Sequence, residues 1–201
     1  MIAQHNGEIG HYFIRYNPIR LDPFRVHENQ LFMPKLTITT MINAPIERVF
    51  DLARSIDAHM ASTSKSKEIA IAGVTTGLIG MGETVTWQAS HFGVKQRLKV
   101  QITEFDRPAF FTDEMIFGAF KSMKHTHRFE ECNGMTHMTH MIDEFEFQAP
   151  LMILGRIAEA LFLTRYMRAF IVERNRVLKD LAESDRWREF VIDTEIQPPT
   201  Q

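Results

Sequence analysis

The sequence has very little cysteine, little net charge and no long apolar run, and each shortage excludes a class of protein. Cys132 is the single cysteine among the 201 residues, so no internal disulfide can form. The formal net charge of −2 at pH 7 argues against a nucleic-acid-binding protein, whose binding surface is basic. No run of about 18 apolar residues occurs, so no membrane-spanning helix is predicted. The first residues lack the basic-then-apolar pattern of a signal peptide, and by elimination we expect a cytoplasmic protein.

Motifs that identify common enzyme classes are missing as well. Segment 73–82 is rich in glycine, but it lacks the Lys-Ser/Thr pair of a phosphate-binding loop and does not begin a helix. The sequence contains no Cys-x-x-Cys pair and no Gly-x-Ser-x-Gly motif, so it predicts no cofactor and shows no evident nucleophile. Phenylalanine (16) and methionine (12) are abundant, and these side chains suit a core that surrounds an irregular hollow as well as an ordinary filled core.

The longest periodic pattern begins at Pro150 and runs to about Ser184. Proline suits the first turn of a helix, where its missing N–H would have no partner. Basic residues (Arg174, Arg176 and Lys179) gather near the end, where they complement the helix dipole, and we expect this arginine-rich face to be solvated. The helix would be roughly 50 Å long. Its apolar stripe comprises Leu154, Ile157, Ala158, Leu161, Phe162, Phe170, Val177, Leu178 and Leu181.

The preceding chain predicts a sheet that covers this helix. Residues 35–42 predict a strand, a helix follows from Pro45 to about Arg54, and residues 55–61 predict a second short helix. Six further strands are expected over 68–73, 83–90, 94–104, 109–117, 120–130 and 135–147, separated by turn residues. An antiparallel sheet of about seven strands that twists around one long helix is an α+β fold. Such a sheet leaves a space beneath the helix, which is a candidate ligand cavity.

Five stretches carry recognisable motifs in a fixed order. They are 37–51 (TITTMINAPIERVFD), 82–93 (GETVTWQASHFG), 102–108 (ITEFDRP), 124–129 (KHTHRF) and 139–155 (THMIDEFEFQAPLMILG). Together they resemble the SRPBCC superfamily, also called START-like or birch-pollen-allergen-like, whose fold is the helix-grip fold. The chain looks most like the bacterial branch labelled "cell division protein" or "polyketide cyclase-like". Since the resemblance covers residues 33–183, we expect a loosely ordered N-terminal extension (1–32), a ligand-binding domain (33–184) and a C-terminal tail (185–201).

The resemblance implies a function. Members of the superfamily bind lipids, sterols, polyketides or other apolar molecules between sheet and helix, and some are cyclases or aromatases. The ligand would enter near the early helices, where His59 lies. In the bacterial branch a His-x-His-x-Phe strand precedes a strand with Met-x-Asp, and the matching residues here are His125, His127, Met141 and Asp143.

Strand alternation independently places these residues together. His125 and His127 share one apolar face of their strand, and Asp143 lies on the matching face of the next strand. The turn at 132–134 predicts that His127 lies near Thr139 and His125 near Met141. A histidine pair and a carboxylate in an apolar setting have three interpretations: a buried polar network, a polar anchor for a ligand head group, and catalysis or metal binding. The catalytic form would be an acid–base pair of His127 and Asp143.

Other residues bear on these alternatives. A metal would need further ligands, for which His59 and Glu83 are candidates, but His-x-His on one strand fixes no geometry, so we predict no metal. Asp113 and Glu114 point to opposite faces of their strand, and the sequence does not decide which one faces inward.

The predicted ligand-binding set also includes residues outside the histidine strand. Glu83 and Trp87 share one face of a strand, and Leu154, Ala158 and Phe162 come from the first half of the long helix. We expect a carrier or sensor of a small hydrophobic or amphipathic molecule. One alternative is a cyclase- or hydrolase-like enzyme that uses the His-Asp cluster, and a second is a protein-interaction module whose cavity its own side chains fill.

Overall fold

The computed structural model describes residues 34–64, 66–91, 93–132, 135–148 and 156–191. The elements are β1 (Lys35–Ile42), α1 (Ile46–Ala53), α2 (Ile56–Ser62), β2 (Ile69–Gly73), β3 (Thr84–His91), β4 (Val94–Asp106), β5 (Phe110–Phe117), β6 (Ser122–Cys132), β7 (Met135–Gln148), α3 (Arg156–Ala182) and a 3₁₀ turn (Asp185–Glu189). This confirms the predicted order of one strand, two short helices, six strands and a long helix. The predictions for residues 1–32, for the start of the long helix at 150–155 and for the last ten residues, 192–201, lie outside the described residues.

The strands form one antiparallel sheet with the order β1-β7-β6-β5-β4-β3-β2. From β2 to β7, each strand pairs with the next along the chain, because the connections are short. β1 pairs with β7 and so places the first strand at the opposite edge from β2. In β1 the apolar residues Leu36, Ile38 and Ile42 are buried and alternate with outward side chains, which is the pattern of a sheet with one covered face.

The short helix α1 covers one part of this inner face. It begins after Pro45, and its inward residues Val49, Phe50 and Leu52 are fully buried, as predicted. Phe50 packs edge-on against phenylalanine rings of β4, β5 and β6, with ring centroids 5.3–5.5 Å apart. These contacts fill the space under α1 with aromatic side chains.

The long helix α3 covers another part of the inner face of the sheet. Its 27 described residues span roughly 40 Å, and it contacts β1, α1 and α2. Ile171, Leu178 and Leu181 are buried, whereas Arg176 is exposed and pairs with Asp180 on the solvated face. Arg174 departs from the prediction of a solvated arginine face, because it is only 4% exposed. No helix among the described residues is long and apolar enough to cross a membrane.

Residues 185–191, at the start of the predicted tail, pack against the early helices. The guanidinium of Arg48 lies 4.7 Å from the centre of the Trp187 ring. The Ser55 hydroxyl donates a hydrogen bond of 3.1 Å to the carbonyl of Phe190. This short segment therefore covers α1 and α2 after α3 has ended.

The pairing of β6 with β7 differs from the predicted register. His127 lies opposite Asp143, whereas Thr139, its predicted neighbour, lies opposite Glu131. The cause is a register shift between Glu131 and Cys132, where extra residues of β7 are inserted near the hairpin end. The resulting shift is an even number of residues. The same side chains of β6 and β7 therefore face inward as predicted, and only their cross-strand partners change.

Candidate functional site

A cavity of about 440 Å³ lies between the inner face of the sheet, α2 and α3. Most of its lining is apolar, and more than half of the apolar residues come from β3, β4 and α3. The apolar residues on these three elements are Val85, Trp87, Ala89, Leu98, Val100, Ile102, Phe162, Leu163, Met167, Phe170 and Ile171. Phe162 is 58% exposed although it lines the cavity, so it lies where the cavity reaches the surface. Tyr166, Met167 and Ile171 follow it on α3 at helical spacing, and the helix therefore forms one wall.

Two histidines and one carboxylate meet at the inner end of this cavity. His125 Nε2 lies 3.0 Å from Asp143 Oδ1 and makes a hydrogen bond with it. His127 Nδ1 lies 2.7 Å from the same oxygen, but the ring N–H is not aligned with it, so this nitrogen has no hydrogen-bond partner. The two imidazole rings are 3.9 Å apart, and Phe111 stacks on His127 with centroids 4.4 Å apart.

A second carboxylate faces the other side of His127. Asp113 lies opposite His125 in the β5–β6 pairing, which turns its side chain inward, and it lines the cavity. Its Oδ1 is 3.3 Å from His127 Nε2. His127 is thus held between Asp143 behind it and Asp113 at the cavity surface. Glu114, the alternative considered from the sequence, pairs with Lys124 on the outer face at 3.3 Å.

Helix α3 completes the cluster with two buried polar side chains. The Asn175 amide donates a hydrogen bond of 2.6 Å to Asp143 Oδ2 and lies 3.3 Å from the Thr40 hydroxyl. Arg174 Nη1 is 3.6 Å from Asp143 Oδ1, and Nη2 donates to the carbonyl of Ala53 at 3.2 Å. Both oxygens of Asp143 are therefore occupied, and the carboxylate connects the sheet to the helix.

The pKa shifts in the cluster follow from these contacts. Burial raises the pKa of Asp143, but its interactions with His125 and His127 outweigh burial and hold it well below its usual range. Burial likewise raises the pKa of Asp113, and the interaction with His127 more than reverses this. Burial lowers the pKa of His127, yet Asp113 and Asp143 raise it overall. Burial and the neighbouring His127 lower the pKa of His125.

These directions favour one charge arrangement. The lowered pKa values favour the ionised forms of Asp113 and Asp143, and of the two histidines the opposite shifts favour the proton on His127. With the permanent charge of Arg174, this arrangement has two negative and two positive charges. It is therefore close to neutral in total, which is the condition under which buried charges are tolerated.

A second polar group lies at the side of the cavity formed by α2 and β2. His59 Nε2 is 2.6 Å from Glu68 Oε2, and the His59 ring stacks on Trp87 with centroids 4.1 Å apart. All three residues line the cavity. This contact joins α2 to the sheet beside the cavity.

The structure brings five of the ten predicted ligand-binding residues to the cavity wall. These are His59, Trp87, His125, His127 and Phe162. Met141 and Asp143 are fully buried behind the wall, so Asp143 contacts the histidines and not the cavity. Glu83 is exposed, and its carboxylate accepts a hydrogen bond of 2.7 Å from the Gly80 N–H. Leu154 and the side chain of Ala158 lie outside what the structure describes.

Sequence reasoning missed Arg174 and Asn175, and it left Asp113 undecided. The spacing did contain a signal for Arg174, since it follows Ile171 by three residues and precedes Leu178 by four on the buried stripe of α3. A charged residue at a stripe position predicts a buried partner. The register of β5 against β6, which decides the direction of Asp113, could not be read from the sequence.

Solved structures with this fold share it at low sequence identity. A protein from Thermus thermophilus aligns with a TM-score of 0.60 and 17% identity, over 73% of this chain and 95% of that chain. The Zhui aromatase/cyclase from Streptomyces sp. R1128 aligns with a TM-score of 0.60 and 14% identity, over 75% and 94%. A START superfamily protein from Mycobacterium smegmatis aligns with a TM-score of 0.57 and 9% identity, over 74% and 97%. No protein-family model and no curated protein matches the chain.

The described part of the chain thus has the helix-grip fold, as the resemblance of its motifs predicts. START-like proteins and an aromatase/cyclase are its structural neighbours. Its placement in the branch labelled "cell division protein" stays a prediction.

Proposed function

We propose that the protein binds a small hydrophobic or amphipathic molecule in the cavity beneath α3, as a carrier or sensor. The observation that carries this proposal is the cavity of about 440 Å³, whose wall is mostly apolar and whose inner end carries a buried polar cluster. Ligand pockets of roughly 300–1,000 Å³ bury most of the surface of a small organic molecule. The apolar walls would supply the affinity, and the polar end would set the orientation.

The charges at the polar end favour a neutral polar group on the ligand. Asp113, whose lowered pKa favours the anion, and His127, whose raised pKa favours the cation, both line the cavity, and Arg174 already contacts Ala53 and Asp143. A ligand carboxylate would face Asp113, and a ligand amine would face His127. A hydroxyl or carbonyl group can use the histidine donors without adding a net charge, so a hydroxylated or keto-bearing apolar molecule fits best.

Filling the cavity tests this proposal. Ala89 is buried on β3 and lines the cavity, so Ala89→Phe places a large side chain in the space that the ligand would occupy. The matched control is Ala72→Phe, which adds the same side chain at an exposed position of β2. We expect Ala89→Phe to fold and to lose the ligand, because the added ring enters a space that already exists.

The measurement is native mass spectrometry with solvent extraction of the purified protein, followed by thermal shift with fatty acids, sterols and aromatic polyketides. A ligand at about 100 times its Kd stabilises the folded state by about 2.7 kcal/mol, or roughly 5–10 °C in Tm for a chain of this size. The wild type and Ala72→Phe should show this shift, and Ala89→Phe should not. The carrier proposal fails if the wild type holds no molecule and no member of the panel shifts its Tm.

An enzyme of the cyclase or hydrolase type is the second candidate. The observation in its favour is a pair of adjacent histidines in the cavity wall whose pKa values are shifted in opposite directions. Such a pair can supply a proton from one ring and accept one at the other. The structural likeness to an aromatase/cyclase supports the same candidate.

The third alternative, an interaction module with a filled cavity, has less support. Among the described residues, side chains leave the space between the sheet and α3 open. A protein that only presents its outer surface to a partner needs no open cavity and no polar cluster at the inner end of that cavity.

A further inference from the structure

We propose that Asp113, His125 and His127 form a binding site for a first-row divalent transition-metal ion such as Zn²⁺ at the inner end of the cavity. One ligand atom from each of the three side chains lies within 4.8 Å of the others. The site goes beyond the proposed ligand binding, and it does not depend on it, because it uses only side chains of this chain.

The spacing of two of the donors already matches a bound ion. Zn²⁺ lies about 2.0–2.2 Å from imidazole nitrogen and carboxylate oxygen, so two donors on a tetrahedral ion are roughly 3.4 Å apart. His127 Nε2 and Asp113 Oδ1 are 3.3 Å apart. A ring nitrogen of His125, the third donor, lies within 4.8 Å of the other two donor atoms. All three side chains line the cavity, so an ion would have access to it and would keep a position open for a small molecule.

The surroundings of the histidines support the same assignment. A histidine that binds a metal usually directs its other ring nitrogen to a carboxylate, which fixes the ring. Asp143 does this for His125, since its Oδ1 makes a hydrogen bond of 3.0 Å with His125 Nε2. The same oxygen lies 2.7 Å from His127 Nδ1, although the N–H of that ring is not aligned with it. The Asn175 amide holds Asp143 in turn, at 2.6 Å. The donors are thus arranged in front of a buried carboxylate that orients them.

The charge of the site is also compatible with a cation. Asp113 and Asp143 supply two negative charges, and the guanidinium of Arg174, which also lines the cavity, lies 3.6 Å from Asp143 and donates a hydrogen bond to the carbonyl of Ala53. A divalent ion would take the place of the proton on His127. Imidazole and carboxylate donors are the set that zinc and neighbouring first-row metals accept.

The test uses the full chain after removal of metals with a chelator, and the probe is Zn²⁺. Titration calorimetry and competition with a chromophoric chelator measure its Kd and stoichiometry. We expect one saturable site, weakened at least about tenfold in Asp113→Asn and His127→Gln. Asp143→Asn should weaken it by about 10- to 100-fold through the orientation of the rings. The matched control is His140→Gln, which removes a histidine from the outer face of β7, where its ring is near Glu130.

A second measurement does not depend on whether the variants fold. The ¹⁵N resonances of the imidazole rings in the wild type should shift on addition of Zn²⁺ for His125 and His127, and not for His140. The proposal is overturned if the wild type shows no saturable Zn²⁺ binding. It is equally overturned if Asp113→Asn and His140→Gln bind Zn²⁺ alike, or if only histidines outside the cluster respond.

Discussion

The substitution Asp143→Asn tests whether the buried cluster acts as one electrostatic unit. Asp143 is fully buried and lies within 3.0 Å of polar atoms on His125, His127 and Asn175. Asparagine keeps the shape of the side chain and removes its charge. Arg174, and His127 when it is protonated, would then share Asp113 as the one remaining counter-charge of the cluster.

The expected loss of stability follows from this burial. Removing one partner of a buried ion pair typically costs about 3–5 kcal/mol, because the other charge stays buried without its partner. Since the asparagine carbonyl can still accept one hydrogen bond, we expect a decrease near the lower limit, about 3 kcal/mol in the free energy of unfolding. For a chain of this length, that corresponds to a Tm lowered by roughly 6–12 °C.

Urea denaturation at pH 7, followed by far-UV circular dichroism, measures this difference when the m value is unchanged. The matched control is Glu144→Gln, the next residue of β7, which faces outward and pairs with Lys35 at 2.9 Å and Arg128 at 3.2 Å. Surface pairs of this kind contribute about 0–1 kcal/mol. If Asp143→Asn loses no more stability than this control, the cluster is not a coupled unit and the reasoning is wrong.

Three further predictions concern the ionisable groups of the cluster. Because its pKa is raised in the folded state, its contribution to stability is complete below about pH 6.5 and is lost as the pH rises through the folded value. Urea titrations should therefore show stability declining above about pH 6.5 in the wild type and not in His127→Gln. The lowered pKa values of Asp113 and Asp143 give stability that is present above about pH 3.9 and lost as the pH falls. If the cavity turns over a polyketide or ester substrate, His127→Gln should lower kcat by about 100-fold or more while the fold survives; an unchanged kcat would exclude the acid–base role.

The strands could be predicted because local signals specify them strongly. In β1 and β6, apolar and polar residues alternate, and glycine- or proline-containing turns separate the strands. Every predicted strand is present, with bounds that differ by at most two residues. The long helix was equally clear from its spacing, and Leu178 and Leu181 are buried as expected. These features depend on residues close together in the chain, which is where sequence patterns are informative.

The partners within the site could not be predicted in the same way. The contact of His127 with Asp143 depends on a register shift between Glu131 and Cys132, and no local propensity reports such a shift. The contact of Asp143 with α3 brings together residues 32 positions apart through the packing of the helix on the sheet. Sequence reasoning therefore identified the two histidines and Asp143 as unusual, but only the tertiary packing supplies the second carboxylate, Asp113, and the two polar residues from α3.

The position of the cluster argues for a role beyond stability. Buried ionic groups stabilise a fold no better, on average, than apolar side chains of similar volume. In this protein the wall around the cluster is rich in aromatic side chains, and apolar residues in place of His125 and His127 could continue the packing of Phe111 and Phe145 without any desolvation of charge. The charges instead meet at the one end of the cavity where α3 crosses the strands, and one carboxylate, Asp113, is turned toward the open space. A polar group that is costly to bury and faces a cavity is expected where it binds something. A neutral ligand group and a metal ion could each bind to this polar group. Binding to the variant Asp113→Asn distinguishes them, because only the metal requires Asp113 to be a carboxylate.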